Sequence, residues 1–144
     1  MRQKIARLLG IGLTAACVSG CATHKTVPKA SPVPQRPLTI REGLASYYGA
    51  DFQGKRTASG VKFDMNAMVA AHPSYPLGTV VRVTNLKNRR SVQLQILDRG
   101  PAAGPRADGV IIDVSRRAAK ELGFIKDGRT RVRLEVLRWG TPDV

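Results

Sequence analysis

The sequence predicts a mainly β protein, a small closed barrel of five or six short strands with one well-marked helix. From residue 43 onward, short apolar runs are separated by Gly, Pro and Asn, and apolar and polar residues alternate at 92–97 and 132–136. Alternation with a period of two is typical of strands with one buried face. Helical spacing is confined to residues 115–123, and closure into a barrel removes the edges that an open sheet would expose.

The strands are predicted over residues 44–48, 68–71, 79–86, 91–97, 110–114 and 130–139. Residues 79–86 and 91–97 form a hairpin, joined through a short polar turn. The helix has Ser115 as its N-cap, buries Ala118, Ala119 and Leu122, and ends at Gly123. These elements place the folded domain at residues 43–139, with a tail at 140–144, and a domain of this size is large enough to fold alone.

Residues 1–20 have the pattern of a signal peptide, with basic residues at the start and an apolar run at 8–18 that is too short to span a bilayer. Val-Ser-Gly-Cys at 18–21 resembles a bacterial lipobox, in which Cys21 is acylated and becomes the mature N-terminus. Cys17 is a weaker rival, and an ordinary cleaved signal peptide is the alternative. Because Ala22 and not Asp follows Cys21, we expect a lipid anchor in the outer membrane, with the protein facing the periplasm.

Residues 21–42 are predicted to be a stiff, basic, proline-rich linker between the anchor and the domain. They have no apolar periodicity, and they contain four prolines, Pro28, Pro32, Pro34 and Pro37. The chain of 144 residues carries a formal net charge of +14, which favours an anionic partner or surface. For an exported, acylated protein we expect peptidoglycan or lipid as that partner and not nucleic acid, and solubility alone is the alternative explanation.

Asp98 is the candidate catalytic residue, because it ends a strand in the phase of the buried side chains. Residues 92–96 alternate between apolar and polar, and Asp98 continues the apolar positions. A Gly-Pro pair at 100–101 ends the strand directly afterwards. A partly buried carboxyl on a rigid backbone suits a general acid. The alternative is an aspartate that caps its own turn or pairs with Arg99.

Six ordered segments carry a resemblance to a known family. They are Ala-Ser-Tyr-Tyr-Gly at 45–49, Thr-Ala-Ser-Gly at 57–60, Ala-Ala-His-Pro at 70–73, Leu-Gly-Thr-Val-Val-Arg-Val-Thr-Asn-Leu at 77–86, Asp-Arg-Gly-Pro at 98–101 and Ile-Asp-Val-Ser at 112–115. Together they resemble the rare lipoprotein A (RlpA) family of septal lytic transglycosylases, and six motifs in order are far more specific than any one of them.

The resemblance implies a six-stranded double-psi β-barrel with one or two short helices, over about residues 43–137. It also implies a lyase that cleaves the MurNAc-GlcNAc bond of peptidoglycan without hydrolysis, leaving 1,6-anhydro-MurNAc ends, in cell-wall remodelling and septation. Divisome proteins are then expected as further partners, and no SPOR-type module is expected after the barrel. One carboxyl is enough for this chemistry, because the 6-hydroxyl of MurNAc is the internal nucleophile and the same acid can serve both proton transfers.

Carried over residue by residue, the resemblance places the catalytic aspartate on Asp98, the site histidine on His72 and an upstream aspartate on Asp64. His72 would bond a sugar or orient Asp98, or alternatively be a structural histidine bonded to backbone. Asp64 would be a wall of the groove or a turn acid. Val61 stands where the family typically has Glu, which keeps open a non-catalytic peptidoglycan-binding lipoprotein. The loop between Asp98 and Asp113 is longer than the family pattern.

Aromatic and basic side chains of the domain are further candidates for binding a glycan. Tyr47, Tyr48 and Phe52 are predicted to offer aromatic faces to sugar rings, or alternatively to pack in the core. Arg99, like the arginines at 82 and 106, is predicted to meet the lactyl carboxylates of the glycan, unless it belongs to a solvated basic face.

Asp113 is predicted to fix the start of the helix together with Ser115 and to help hold the barrel together. No metal or cofactor is predicted, because His72 is the only histidine of the domain and both cysteines lie in the first 21 residues.

Overall fold

The computed structural model describes residues 36–141, which contain a closed barrel of six strands. The predicted signal peptide, Cys21 and most of the predicted linker lie outside the described residues, as do residues 142–144. The strands are β1 (Thr39–Tyr47), β2 (Val69–Ala71), β3 (Val80–Asn85), β4 (Ser91–Asp98), β5 (Val110–Val114) and β6 (Thr130–Arg138). Two short helices, α1 (Ala103–Ala107) and α2 (Arg116–Leu122), accompany them, with a 3₁₀ turn at Ala50–Phe52.

Neighbouring strands follow the order β1-β5-β2-β4-β3-β6 around the barrel, which confirms the predicted closure. β1 pairs in parallel with β5, and β2 in parallel with β4, whereas the other four pairings are antiparallel. The short strand β2 therefore lies between β4 and β5, although it precedes both in the chain. This order brings the C-terminal ends of β2, β4 and β5 side by side.

Alternate residues of the strands fill the interior, as the period of two predicts. Leu94 and Ile96 of β4 and Val132, Leu134 and Val136 of β6 are at most 2% exposed, while their polar neighbours face outward. Complete burial of one such side chain stabilises the fold by roughly 1.5–3 kcal/mol.

The helix α2 has both of the predicted end signals. Ser115 is the N-cap, and its Oγ accepts a hydrogen bond from the Ala118 N–H at 3.2 Å. Gly123 takes the left-handed conformation, with φ 79°, directly after the helix. The side-chain amides of Asn85 and Asn88 donate to the Leu122 carbonyl at 3.0 and 2.9 Å, so the β3–β4 hairpin satisfies an end carbonyl of the helix.

The structure differs from the prediction at the start of the barrel. β1 begins at Thr39, inside the segment assigned to the linker, because residues 39–42 pair with β6 in antiparallel register. Residues 39–42 do not alternate between apolar and polar in the sequence, so no pattern marked them as a strand. The apolar residues at this end, Leu38 and Ile40, are 59% and 54% exposed and do not fill the core. The short helix α1, in the loop after Asp98, was also not located by sequence pattern. None of the helices within residues 36–141 has the length and apolar character needed to cross a bilayer.

Candidate active site

Two aspartates lie in one row across neighbouring strands. In β-sheet register, Ala71 of β2 pairs with Asp98 of β4 on one side and with Asp113 of β5 on the other, and Asp113 pairs with Ser46 of β1. Residues directly opposite one another in adjacent strands point to the same face. Adjacent strands are about 4.8 Å apart, so the two aspartate Cα atoms are about 10 Å apart across the small Ala71.

Asp98 is the last residue of β4, and its carboxylate is held by three donors. Oδ2 accepts from the Tyr48 hydroxyl at 3.0 Å. Oδ1 accepts from the backbone N–H groups of Ala58 and Arg99, both at 2.8 Å. The bond from the Arg99 N–H belongs to the turn-capping alternative, whereas the bonds from Tyr48 and Ala58 come from distant parts of the chain. Three donors from three segments fix the orientation of this carboxylate.

The Thr-Ala-Ser-Gly segment is a tight turn that aims the Ala58 N–H at Asp98. Thr57 Oγ1 donates to the Val61 carbonyl at 2.8 Å, and Gly60 allows the turn with φ 82°. The Ser59 N–H donates to the Leu97 carbonyl at 3.0 Å, which ties the turn to the end of β4. Ala58 acts through its backbone, so no side-chain pattern marks it, and the only sequence signal was the motif as a whole.

Tyr48 is the side chain that links Asp98 to the surrounding pocket. Its ring is 8% exposed and packs against Phe63 and Phe52, with centroids 4.6 and 5.1 Å away. Burial, followed by the nearby charges of Asp98 and Asp113, raises the pKa of the Tyr48 hydroxyl. The phenol therefore remains protonated and donates to Asp98.

His72 lies beneath this site as a neutral, buried imidazole. It is 2% exposed, and its Nδ1 accepts from the backbone N–H groups of Ser74 and Tyr75 at 3.2 and 3.0 Å. Its ring stacks on Tyr75 with centroids 3.6 Å apart. Burial, together with the positive charges of Arg41 and Arg99, lowers its pKa to about 4. The hydrogen bond between His72 and Asp98 joins their backbones, from the His72 N–H to the Asp98 carbonyl at 3.2 Å, so the side chain matches the structural alternative.

A cleft of about 520 Å³ opens beside the row of aspartates. Aromatic rings, prolines, two arginines and one carboxylate line it, contributed by Ser46, Tyr47, Tyr48, Gly49, Phe52, Pro73, Arg99, Gly100, Pro101, Ala102, Pro105, Arg106 and Asp113. Asp98 adjoins this lining through its hydrogen bond from the Tyr48 hydroxyl. Flat apolar walls with few polar groups suit sugar rings, and the arginines suit carboxylates.

The other predicted site residues divide between the cleft and the surface. Tyr47 lines the cleft and donates its hydroxyl to the Ile125 carbonyl at 3.2 Å. Arg99 lines it as well, and its Nη1 donates to the Tyr75 carbonyl at 2.7 Å. Asp64 is exposed, and its Oδ1 accepts from the Asn66 N–H in its own turn at 2.9 Å, as in the turn-acid alternative.

The predicted role of Asp113 at the helix start is wrong, whereas its bond with Ser46 joins β1 to β5 and agrees with the predicted role in holding the barrel together. Ser115 alone caps α2, whereas the Asp113 side chain accepts a hydrogen bond from the Ser46 hydroxyl and lines the cleft. Burial raises the pKa of this carboxyl, and the Ser46 bond and Arg129 oppose the shift. A sequence signal was present, because Asp113 falls between the buried residues Ile112 and Val114 and so points to the other face of β5.

Within residues 36–141, no group of three or more His, Cys, Asp or Glu side chains could hold a metal ion.

The fold and the site together define a class: a closed six-stranded barrel with carboxyls at its strand ends beside an aromatic-lined cleft. The family model described as Lytic transglycolase, of the double-psi β-barrel type, matches residues 40–134. Because this match covers well over half of the chain, the protein belongs to that family. The double-psi barrel and the resemblance to RlpA proteins predicted from the sequence are both confirmed.

Several curated relatives are named endolytic peptidoglycan transglycosylase RlpA. The protein of Neisseria meningitidis serogroup A is 48% identical over 93 residues, which cover 65% of this chain and 37% of that protein. The protein of Campylobacter jejuni is 43% identical over 100 residues, with coverage of 69% and 35%. The Treponema pallidum protein, named as a probable member, is 50% identical over 95 residues, with coverage of 66% and 29%. The chain thus spans about a third of the length of these relatives.

Solved structures share the fold at low sequence identity. The Streptomyces papain inhibitor has a TM-score of 0.56 at 21% identity, and the match covers 71% of this chain and 97% of the inhibitor. An expansin of Clavibacter michiganensis has a TM-score of 0.54 at 22% identity, with coverage of 72% and 52%. At these identities the likeness concerns the barrel alone.

Proposed function

We propose that this protein is a lytic transglycosylase that cleaves the glycan strands of peptidoglycan and leaves 1,6-anhydro-MurNAc ends. The observation that carries the proposal is the Asp98 carboxylate, held at a strand end by Tyr48 and the Ala58 N–H beside a cleft of sugar-binding character. Membership of the family and the names of the RlpA relatives support the same reaction.

The reaction needs two proton transfers and no external water. A proton must reach the oxygen that leaves C1 of MurNAc, and a proton must be removed from the 6-hydroxyl that attacks C1. The attack closes the 1,6-anhydro ring, so a hydrolytic water and a covalent intermediate are both unnecessary. A carboxyl fixed by backbone donors, as Asp98 is, keeps its geometry during these transfers.

The cleft supplies groups for binding the glycan. The rings of Tyr47, Tyr48 and Phe52 line one part of it and offer apolar faces to sugar rings. Arg99 and Arg106 line another part, where lactyl carboxylates or acidic stem peptides would meet them. The positive charge of the whole chain favours the same anionic polymer.

His72 and Asp64 have supporting roles in this proposal. His72 holds the turn that follows β2 through its Nδ1, and its backbone N–H bonds to the carbonyl of Asp98. It therefore positions the catalytic carboxylate and does not transfer protons. Asp64 orders its own surface turn. In this proposal it lies at the rim of the site, where it would contact only longer glycan strands.

The cellular location of the protein is also part of the proposal. Acylation of Cys21 would anchor the chain in the outer membrane, facing the periplasm, where the basic linker lets the barrel reach the wall. Divisome proteins would bring it to the septum, where glycan strands are remodelled.

A non-catalytic glycan-binding protein is the alternative function. Val61, 53% exposed, stands where the family pattern has Glu, so the rim of the site lacks one acid. In that case the cleft would hold the strand without cutting it.

One experiment separates the two functions. The full chain, purified in mild detergent, is incubated with glycan strands that carry or lack peptides, and the products are weighed by mass spectrometry. We expect 1,6-anhydro ends from the wild type and from Asp127→Asn, a control that removes an exposed carboxylate paired with Lys87. Asp98→Asn should produce none. Retention on the strands without new ends would support the binding function, and unchanged cleavage by Asp98→Asn would refute the role of Asp98.

A further inference from the structure

We propose that Asp113 is a second catalytic carboxyl of this site: it donates the proton to the leaving oxygen, while Asp98 accepts the proton of the attacking hydroxyl. The inference rests on the proposed function and deepens it, because it divides between two side chains the work that one carboxyl was expected to do.

The position of the cleft is the first reason. Asp113 lines the cleft, whereas the Asp98 carboxylate adjoins it through its bond from the Tyr48 hydroxyl. Asp113 Oδ2 and Tyr48 Oη are 3.5 and 3.8 Å from the point that a Cβ on Gly100 would occupy. Because Gly100 has no side chain, the space between these two oxygens is open to the cleft. A sugar oxygen in the cleft therefore meets the Asp113 carboxyl without displacing Tyr48.

The hydrogen bonds of the two carboxyls are the second reason. Asp98 accepts three hydrogen bonds, a set that matches an ionised carboxylate, which can only accept. Within residues 36–141, the partner that the structure gives Asp113 is the Ser46 hydroxyl. Burial raises the pKa of Asp113 against the opposing effects of Ser46 and Arg129, so this carboxyl holds its proton to higher pH than an exposed aspartate.

The separation of the carboxyls is the third reason. They flank Ala71 in one row, with Cα atoms about 10 Å apart. Pairs of carboxyls that act on one glycosidic bond are roughly 5–9.5 Å apart at their oxygens. The Tyr48 hydroxyl, which bonds to Asp98 Oδ2 at 3.0 Å, lies beside Gly100 together with Asp113 Oδ2, so both carboxyls are within reach of one glycosidic bond.

The step balances with the groups of this site and the substrate. Asp113 gives its proton to the O4 atom of GlcNAc as the bond from C1 of MurNAc to O4 breaks. The O6 atom of MurNAc bonds to C1 and releases its proton to Asp98. The net proton count is unchanged, and exchange of protons with solvent water after product release returns both carboxyls to their starting forms.

The first test changes the leaving group. A glycan fragment with a dinitrophenyl group at C1 of MurNAc needs no proton on its leaving oxygen. We expect Asp113→Asn to lose ~10²–10⁴-fold of its rate on natural strands and to cleave the dinitrophenyl substrate at near the wild-type rate. Asp98→Asn should be slow on both substrates, and Asp127→Asn should match the wild type on both.

The second test keeps both carboxyls and uses Ser46→Ala. The Ser46 hydroxyl favours the ionised form of Asp113, so its removal raises the pKa of that carboxyl. The alkaline limb of the pH–rate profile should then move to higher pH. Tyr48 and Arg129 also act on this carboxyl, Asp98 is the next carboxyl in the row, and all three are the same in both proteins. A merely structural role for Asp113 would lower the rate at every pH and leave the limb in place.

The outcomes are distinct. If the wild type makes no anhydro ends from any substrate, the proposed function fails. If the wild type is active and Asp113→Asn cleaves natural strands normally, or is equally slow on both substrates while still binding sacculi, the role of Asp113 is overturned. Should Asp113→Asn fail to fold, an alkaline limb that does not move in Ser46→Ala overturns it instead.

Discussion

Replacement of His72 by Asn should make the protein less sensitive to acid. In the folded protein His72 is 2% exposed and its pKa is about 4, mainly because burial disfavours the imidazolium. In the unfolded chain the pKa of histidine is about 6.5. Protons therefore bind the unfolded state more tightly, so stability is complete above pH 6.5 and falls as the pH drops from 6.5 to 4.

The magnitude follows from the two pKa values. Linkage gives a loss of about 2 kcal/mol at pH 5 and about 3 kcal/mol below pH 4 from this one side chain. Asn is the matched variant, because its Oδ1 can accept from the backbone N–H groups of Ser74 and Tyr75 as Nδ1 does, and it does not titrate. The lost stacking on Tyr75 should cost roughly 1–2 kcal/mol at every pH.

The assay is urea unfolding of both proteins between pH 7.5 and 4.5. Carboxyl groups titrate in both proteins and cancel in the difference. We expect the wild type to lose about 2 kcal/mol more than His72→Asn between pH 7.5 and 5. Equal losses in the two proteins would show that the imidazole is not held neutral by burial, and the structural account of His72 would be wrong.

Three further changes probe the site, the helix and the barrel. Tyr48→Phe keeps the ring but removes a hydrogen bond to the Asp98 carboxylate, so glycan cleavage should fall about tenfold or more, with a melting curve within a few degrees of wild type. Ser115→Ala removes the N-cap of α2 and should lower the free energy of unfolding by about 1–2 kcal/mol in urea titrations. Gly43→Ala places a Cβ 2.6 Å from Cγ2 of Ile111 and should cost about 1–3 kcal/mol by the same measurement. Full activity of the first variant, or neutral stability of either other one, would contradict the corresponding contact.

Local pattern predicted the parts of the fold that depend on neighbours in the chain. The β5 strand and the α2 helix were predicted with their observed bounds, because alternation, an N-cap serine and a following glycine act over a few residues. The start of β1 was missed, since its exposed residues pair with β6 through backbone hydrogen bonds, which need no alternation of apolar and polar side chains.

The candidate site divides in the same way. The strand-end position of Asp98 was predicted, because the Gly-Pro stop is a local feature. Its predicted place in the apolar phase of β4 was wrong, because a register shift against β2 puts Asp98 in the row of Asp113 and not of Ile96. The Ala58 N–H was not predicted as a donor, because a backbone group leaves no side-chain signal. Asp113 was assigned to the helix start, because nothing in the sequence says that β5 becomes the neighbour of β2.

By itself, the sequence determined a small β-barrel domain, a family and an aspartate at the end of a strand. Only the tertiary structure decided that Asp98, Ala71, Asp113 and Ser46 form one row, that Asp113 lines the cleft, and that the His72 side chain is buried and bonds to backbone. The physical reason is the strand order. A barrel closed as β1-β5-β2-β4-β3-β6 joins residues far apart in the chain, and their burial and hydrogen bonds exist only once that closure has formed.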